Sequence, residues 1–309
     1  MPVKLDDKLV VAIASTALFD LAEADRVFRE QKLPAYREYM RKNEDKRLEP
    51  GTGFPLAKGL LAINELAGDH LVEVVLVSKN DADSGYGILN SIESWKLAIK
   101  RAAFTDGRPP FEYLEAFSCN LYLTTNRQEV VNALKSGFPA ALVYDPPKNL
   151  DLSSNEVRIA FDGDAVLFSD EADKVFQKHG LEAFEKHEAL LANTPLKPGP
   201  LKGFLDALSR IQARFPEEDG KKCPIRTSLV TARAFPAHKR PINTLREWNI
   251  RLDESFFLGG MDKGRVLGVL KPHIFFDDQR ANLESSKGHL PVAEVPAELE
   301  DLGGVDYKR

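Results

Sequence analysis

VRIAFDGDAVLF, residues 157–168, is a short apolar run that leads directly into Asp162 and Asp164, two aspartates one residue apart. A buried strand end is a costly position for two like charges unless a cation or a reaction requires them. An Asx turn would explain the local backbone but not the charge. A calcium loop would continue with oxygen ligands at alternate positions, whereas residues 165–168 are apolar. The stretch therefore predicts a strand with a chemical site at its end.

Composition indicates a globular protein and argues against two classes of partner. The chain has 309 residues, of which 43% are hydrophobic and 29% charged, and its net charge of −5 disfavours a nucleic-acid surface. No apolar run reaches membrane-spanning length, and the N-terminus lacks a signal-peptide core. Cys119 and Cys223 form neither a metal-ligand spacing nor a disulfide framework, which suits a reducing compartment. We therefore expect no nucleic-acid partner, no membrane association and a cytoplasmic location.

An internal repeat organises the chain. At an offset of 148, residues 24–28 (ADRVF) match residues 172–176 (ADKVF). At an offset of 153, residues 76–78 (LVS) match residues 229–231 (LVT), and the only two tryptophans, Trp95 and Trp248, coincide. These matches predict two copies of one α/β unit, in residues 1–150 and 151–309. Phe176 and Phe184 recur as Phe28 and Tyr36, and we expect these rings and both tryptophans to be core residues.

Each copy alternates short apolar strands with helices, which predicts a parallel sheet covered by helices on both faces. In the second copy the predicted strands are 157–161, 226–230, 255–258 and 273–276, and the predicted helices are 171–191, 201–215 and one ending near Trp248. The ligand site of such a sheet lies beyond the carboxyl ends of its strands.

The two copies differ in chemistry at these strand ends. Ala14 stands in place of Asp162, Thr16 in place of Asp164, and Thr124-Thr125 in place of Asp277-Asp278. Shared positions are expected to be architectural, and differing ones are candidates for function. The second copy is therefore predicted to be chemically active and the first silent.

Three carboxylates beyond one sheet edge, Asp162, Asp164 and one of Asp277 or Asp278, suit Mg²⁺, which takes oxygen ligands and is often completed by a substrate phosphate. Thr231 precedes the backbone amides of Ala232 and Arg233, and these groups can donate hydrogen bonds to phosphate oxygens. Lys263 adds a point positive charge. Together these residues predict phosphoryl transfer through an aspartyl-phosphate.

The motif order resembles the four motifs of the haloacid-dehalogenase-like (HAD-like) phosphohydrolases. The matching segments are Asp162-Gly163-Asp164, Leu229-Val230-Thr231, Lys263 and Phe275-Phe276-Asp277-Asp278. Within that superfamily, residues 158–171, 223–233 and 271–279 resemble the AMP-preferring cytosolic 5′-nucleotidase type I family. The likeness extends to residues 17–19 and 89–91, so it spans nearly the whole chain. It implies a HAD-like Rossmannoid fold with a small helical cap near residues 170–200, duplicated as a degenerate N-terminal copy.

The resemblance also implies a role for each site residue. Asp162 would be the nucleophile and a Mg²⁺ ligand, and Asp164 would be the general acid and base, with its backbone carbonyl on the metal. Asp278 would bind the metal directly, supported by Asp277. Thr231, Lys263, Gly163 and Ala232 would bind the phosphate, with Lys271 a weaker candidate than Lys263 for the lysine role.

These features predict a Mg²⁺-dependent 5′-nucleotidase that hydrolyses nucleoside 5′-monophosphates, AMP in particular. A phosphatase or phosphotransferase acting on another phosphomonoester is the alternative enzyme, and a nucleotide-sensing role for residues 1–150 is an alternative of another class. The resemblance suggests ADP as an effector. The sequence leaves the oligomeric state open, a homo-oligomer included.

Overall fold

The computed structural model describes residues 4–154, 156–216 and 223–297, and the chain forms two compact units. The first unit ends at Pro146 and the second begins at Pro147. Within these described ranges, no helix combines the length and apolar character that a bilayer crossing requires.

The first unit is built on a parallel sheet. Its strands are β1 (Leu9–Ala14), β2 (Val72–Ser78), β3 (Arg101–Phe104), β4 (Leu121–Thr124) and β5 (Ala140–Val143). Its helices are α1 (Ser15–Leu18), α2 (Ala22–Lys42), α3 (Phe54–Ala67), α4 (Tyr86–Ser94) and α5 (Arg127–Lys135), with a 3₁₀ turn at Pro110–Tyr113. The strands lie in the order β3-β2-β1-β4-β5, and all neighbours are parallel.

The second unit also contains five parallel strands. Its strands are β6 (Val157–Phe161), β7 (Ile225–Thr231), β8 (Glu254–Phe257), β9 (Ile274–Asp277) and β10 (Val292–Glu294). Its helices are α6 (Glu171–Leu190), α7 (Lys202–Gln212), α8 (Lys239–Glu247), α9 (Lys263–Leu270) and α10 (Arg280–Ser286). The order is β8-β7-β6-β9-β10, so successive strands take the same relative places as in the first unit.

The central strands are covered on both faces, as their unbroken apolar sequences predict. Successive side chains of a strand point to opposite faces, and every residue of β1, β2 and β9 is buried. The predicted strand 157–161 is found with the same bounds, strand 226–230 is extended by one residue at each end, and strands 255–258 and 273–276 are shifted by one residue. The predicted helix 201–215 is shorter, at Lys202–Gln212.

Helix α6 is a hairpin of two helical arms, and we call Glu171–Leu190 the cap. Its helical path is interrupted at Gly180, where φ is 79° and ψ is −178°. Helix α2 is interrupted in the same way at Lys32, where φ is 68° and ψ is −174°. The two positions are related by the offset of 148 that relates the surrounding sequences.

The rings predicted to be core residues differ in their burial. Phe184 and Tyr36 are buried, as predicted, and Trp95 and Trp248 are half-buried. The prediction is wrong for Phe176 and Phe28, which are 48% and 38% exposed. Each packs edge-on against the buried ring of its own hairpin, with centroids 6.2 Å and 5.8 Å apart. An exposed ring therefore covers a buried one.

Candidate active site

The carboxyl ends of β6, β7 and β9 meet at one edge of the second unit's sheet. Phe161 pairs with Leu229 of β7 and Phe276 of β9, and the backbone N–H of Asp162 donates to the carbonyl of Phe276 at 2.8 Å. A cleft of about 240 Å³ opens there, lined by Asp162, Asp164, Asp173, Thr231, Ala232, Gly260, Met261, Asp262, Lys263, Gln279 and Asn282. Most of the predicted site residues therefore face one cavity.

Lys263 lies between two carboxylates at the base of the cleft. Its Nζ is 2.8 Å from Oδ1 of Asp162 and 2.7 Å from Oδ2 of Asp277, and all three residues are buried. Helix α9 begins at Lys263, and Asp262 caps it by accepting a hydrogen bond from the N–H of Gly264 at 2.8 Å. Burial acts to lower the pKa of Lys263, but the two carboxylates outweigh it and raise that pKa above its ordinary value.

The residues at this edge fit a hard divalent cation. Among the described residues, one group of acidic side chains has the spacing of a metal site: ligand oxygens of Asp162, Asp277 and Asp278 lie within 4.8 Å of one another. Asp278 leaves Oδ1 buried and without a hydrogen-bond partner. Such an oxygen is costly to bury unless something binds it. The oxygen-only donor set suits a cation that prefers oxygen ligands.

The charge balance points to the same cation. Burial raises the pKa of Asp162 well above its ordinary value, even with Lys263 beside it. Burial and the charge of Asp277 raise the pKa of Asp278 to about 7. A single lysine faces three carboxylates in this group, and a bound cation would favour their ionised forms.

Asp277 is held by protein groups on both oxygens. Its Oδ1 accepts hydrogen bonds from the N–H of Gln279 at 2.8 Å and from Nδ2 of Asn282 at 3.2 Å. Its Oδ2 accepts from Lys263 at 2.7 Å and from Asn282 at 3.1 Å. Asp277 is therefore saturated, whereas Asp278 has a free oxygen, which suits a supporting and a ligating role respectively.

Thr231 and Gly163 lie side by side beneath the cleft. A Cβ built on Gly163 would be 3.4 Å from Oγ1 of Thr231, which is ordinary van der Waals contact, and Gly163 does not itself line the cleft. Oγ1 of Thr231 accepts a hydrogen bond from the N–H of Arg233 at 3.2 Å and retains its own proton for another acceptor. Ala232 lines the same cavity. Lys271, the weaker lysine candidate, is exposed just beyond the end of α9 and does not line the cleft.

Asp164 lines the cleft but its side chain is held away from the metal group. Both of its oxygens accept hydrogen bonds from Arg233, at 2.6 Å from Nη2 and 2.7 Å from Nε. This two-point contact is the geometry of a carboxylate paired with a guanidinium. The predicted role of the Asp164 backbone carbonyl as a metal ligand stays a prediction.

Four charged side chains near the site, those of Asp173, Glu188, Arg233 and Arg240, were not predicted from the sequence. Arg233 reaches Glu188 of the cap, Glu188 also contacts Arg240, and Asp173 of the cap lines the cleft. Burial, followed by the charge of Asp164, raises the pKa of Asp173 to about 6. The half-to-half comparison could have found both arginines, since their counterparts at the offset of 153 are the uncharged Asn80 and Gly87.

The corresponding strand ends of the first unit carry hydroxyl groups. Oγ1 of Thr16 lies 2.6 Å from Oγ1 of Thr125, and Thr124 donates to Glu129 at 3.1 Å. Glu129 is itself paired with Lys79 at 2.5 Å. The carboxylate group of the second unit therefore has no equivalent at these positions.

Comparisons with a family model and with a curated protein both identify a 5′-nucleotidase. A sequence model of the 5′-nucleotidase family matches residues 1–301. The human (Homo sapiens) protein "Cytosolic 5′-nucleotidase 1B" is 37% identical over 294 residues, which cover 93% of this chain and 48% of that protein. The chain thus spans about half the length of this relative. No solved structure matches the chain.

Proposed function

Because the chain belongs to the 5′-nucleotidase family, we propose that it hydrolyses nucleoside 5′-monophosphates to nucleosides and phosphate, with AMP as the preferred substrate. The observation that carries the proposal is the buried group of Asp162, Asp277 and Lys263 at the floor of the cleft, beside an unpartnered oxygen of Asp278. Asp164 and Thr231 line the same cavity. This arrangement supports phosphoryl transfer because it offers a nucleophile, a cation site and phosphate-binding groups together.

Mg²⁺ is the cofactor that this donor set suits best. Asp162, Asp278 and the backbone carbonyl of Asp164 would hold it, and Asp277 would orient Lys263 and the neighbouring backbone. When bound, the ion supplies positive charge that stabilises the phosphoryl group during transfer.

In the first half of the reaction, the carboxylate of Asp162 attacks phosphorus, and a bond forms between its oxygen and the phosphorus atom. The bond from phosphorus to the ribose 5′-oxygen breaks, and Asp164 donates a proton to that leaving oxygen. Thr231 donates a hydrogen bond to a phosphate oxygen, Ala232 leaves space for it, and Lys263 offsets its charge.

In the second half, water attacks the phosphorus of the aspartyl-phosphate. Asp164 takes a proton from that water, the bond between Asp162 and phosphorus breaks, and phosphate leaves. The two oxygens of Asp164 both accept hydrogen bonds in the structure, which suits the proton-accepting form of this residue. On protonation each oxygen of Asp164 keeps a lone pair that can accept from Arg233, so Asp164 can donate its proton without losing the two-point contact.

The N-terminal half is proposed to be a degenerate, non-catalytic copy of a HAD-like unit, with the catalytic copy and its cap in residues 151–309. The shared strand order supports this proposal. So does a shared backbone contact, in which Phe19 bridges Pro50 and Phe168 bridges Pro198. We propose a cytosolic location in line with the relative's name. The ADP response and the homo-oligomer stay predictions.

Phosphate release from a panel of nucleoside monophosphates and sugar phosphates, with and without Mg²⁺, tests the proposal. We expect Mg²⁺-dependent release from AMP, and its loss in Asp162→Asn. Asp206→Asn is the matched control, because Asp206 pairs with Lys202 on α7 and does not line the cleft. Full activity in Asp162→Asn would refute the mechanism, and release from sugar phosphates alone would favour the alternative phosphatase.

A further inference from the structure

Among the described residues, the side chain of Asp164 is held by Arg233, through two parallel hydrogen bonds. The distances are 2.6 Å from Nη2 to Oδ1 and 2.7 Å from Nε to Oδ2, and both side chains are almost completely buried. A two-point contact fixes the plane of a carboxylate as well as its position, which one hydrogen bond cannot do.

Arg233 is in turn held by the cap. Its Nη1 donates to Oε2 of Glu188, which is fully buried on the second arm of the cap, and its guanidinium lies 5.3 Å from the ring of Phe184 on the same arm. Arg240 donates to the other oxygen of Glu188 at 2.8 Å and to Glu171 at 2.5 Å, at the start of the cap. A continuous set of ion pairs therefore joins both ends of the cap to Asp164.

The first unit makes the corresponding contact without buried charge, because its hairpin-to-loop ion pairs, Arg37 with Asp81 and Arg41 with Asp83, are all at least 22% exposed. At the constant offsets, Asn80 stands in place of Arg233, Met40 in place of Glu188 and Thr16 in place of Asp164. Tyr36 of the first unit's hairpin donates to Asn80 at 2.8 Å, so hairpin and strand-end loop are still connected. Attachment of a hairpin to this loop therefore does not require buried ions.

Buried ion pairs are a poor means of stabilisation, because desolvation offsets much of the attraction, and apolar replacements are often neutral or better. A functional reason for the charges is therefore favoured. We propose that Arg233 is a positioning residue that sets the orientation of the Asp164 carboxylate, and that Glu188 of the cap holds Arg233 in place. The inference rests on the proposed function, in which Asp164 transfers protons.

A double-mutant cycle on kcat tests this inference. Arg233→Lys and Glu188→Gln are each made in the natural chain and in Asp164→Asn, and kcat and KM for AMP are measured at saturating Mg²⁺. In the natural chain we expect each variant to lower kcat about 10- to 100-fold with KM changed less than about 3-fold, part of the roughly 10²- to 10⁴-fold that acid–base catalysis contributes. In Asp164→Asn, where the positioned group is gone, each should change kcat less than about 3-fold.

Glu182→Gln is the matched control, because Glu182 lies on the same arm of the cap but forms only an exposed pair with Lys186. It should leave kcat unchanged in both backgrounds. Equal losses of kcat in both backgrounds would show a purely structural role for Arg233 and would overturn the inference. Failure of the proposed function is seen separately, as the absence of nucleotide hydrolysis by the natural chain.

A second variant keeps the test valid if single substitutions unfold the protein. Arg233→Asn combined with Glu188→Met copies the uncharged residues Asn80 and Met40 of the first unit and removes one charge of each sign. We expect this variant to fold, with a melting temperature close to that of the natural chain, and to lose kcat to the same extent as Arg233→Lys or more. Retention of full kcat would overturn the inference.

Discussion

Lys263 forms a buried ion pair with Asp162, with 2.8 Å between Nζ and Oδ1, although the two residues come from different elements of the second unit. The lysine begins α9 and the aspartate follows β6. The pair places a positive charge beside the proposed nucleophile. Lys263 is shared by Asp162 and Asp277, so the negative charge of Asp278 is left for a bound cation to balance.

Substitution of Lys263 is expected to destabilise the protein in a Mg²⁺-dependent way. Lys263→Met leaves Asp162 and Asp277 without their shared partner, and breaking a buried pair on one side costs about 3–5 kcal/mol. We expect a loss of this size in the free energy of unfolding without divalent cations, and partial recovery with Mg²⁺. Urea denaturation measures both values. Lys186→Met, which removes an exposed pair, should cost about 0–1 kcal/mol, and an equal effect of the two substitutions would contradict the prediction.

Asp278→Asn is expected to weaken Mg²⁺ binding, whereas Asp277→Asn is expected to lower stability. Removal of a ligating carboxylate should raise the Mg²⁺ concentration for half-maximal activity by at least about 10- to 100-fold, because loss of an outer-shell group alone has an effect of that size. Asp277→Asn, in contrast, breaks the contact with Lys263 and should lower stability. Magnesium titrations of phosphate release and thermal melts of both variants distinguish the two roles.

The effect of Asp278→Asn on folding stability is expected to depend on pH, because the pKa of the Asp278 carboxyl is raised in the folded protein. Burial raises the pKa of Asp278 to about 7, so its ionised form is disfavoured in the folded state. Stability is therefore lost as pH rises from the ordinary pKa of 3.8 towards 7. Without metal, Asp278→Asn should unfold at a higher temperature than the natural chain at pH 8 and show a smaller difference at pH 5. The reverse order would show that Asp278 is stabilised as a carboxylate.

Replacement by alanine is expected to destabilise the protein at Gly199 and to stabilise it at Gly268. A Cβ on Gly199 would lie 2.6 Å from the carbonyl oxygen of Val166 and closer still to that of Phe168, so Gly199→Ala must displace the backbone that follows Asp164. We expect both stability and kcat to fall. Gly268 lies within α9, where an added methyl group would have nothing within 4 Å, and Gly268→Ala should stabilise by about 0.5–1 kcal/mol. Thermal melts of both variants provide the comparison.

His273 is expected to make stability decline in mild acid. It is buried, its Nδ1 accepts a hydrogen bond from the N–H of Arg158 at 3.0 Å, and burial lowers its pKa below the ordinary 6.5. The unfolded chain therefore takes up the proton first as pH falls through 6.5, and stability is lost. His273→Asn keeps an acceptor and does not titrate. Between pH 7.5 and 5.5 the natural chain should lose more unfolding free energy than this variant, and parallel losses would contradict the assignment.

The sequence predicts the strands and the site's position well, for a physical reason. Strands buried on both faces appear as continuous apolar runs, and parallel strands bring their carboxyl ends to one edge. Asp162, Thr231 and Asp277 could therefore be expected to meet without knowledge of any contact. The three-residue strand β10 carries too little pattern to be recognised before the fold is known.

The partners of Asp164 could not be predicted in this way. Arg233 and Glu188 are 45 residues apart in the chain, and their pairing depends on how the cap folds back over the strand-end loop. The hydrophobic periodicity also gave no sign of the interruption at Gly180. Nor does it show that, of the two rings Phe176 and Phe184, the second is buried and the first exposed. These properties depend on tertiary packing rather than on local sequence.

The two hairpins bear unequal conformational strain. Gly180 adopts its positive φ without a steric penalty, whereas Lys32 holds nearly the same backbone angles with a Cβ present, in a region that non-glycine residues rarely occupy. Such a residue stores about 1–3 kcal/mol, which the surrounding structure must supply. The first unit therefore keeps its bend at an energetic cost that the second unit avoids.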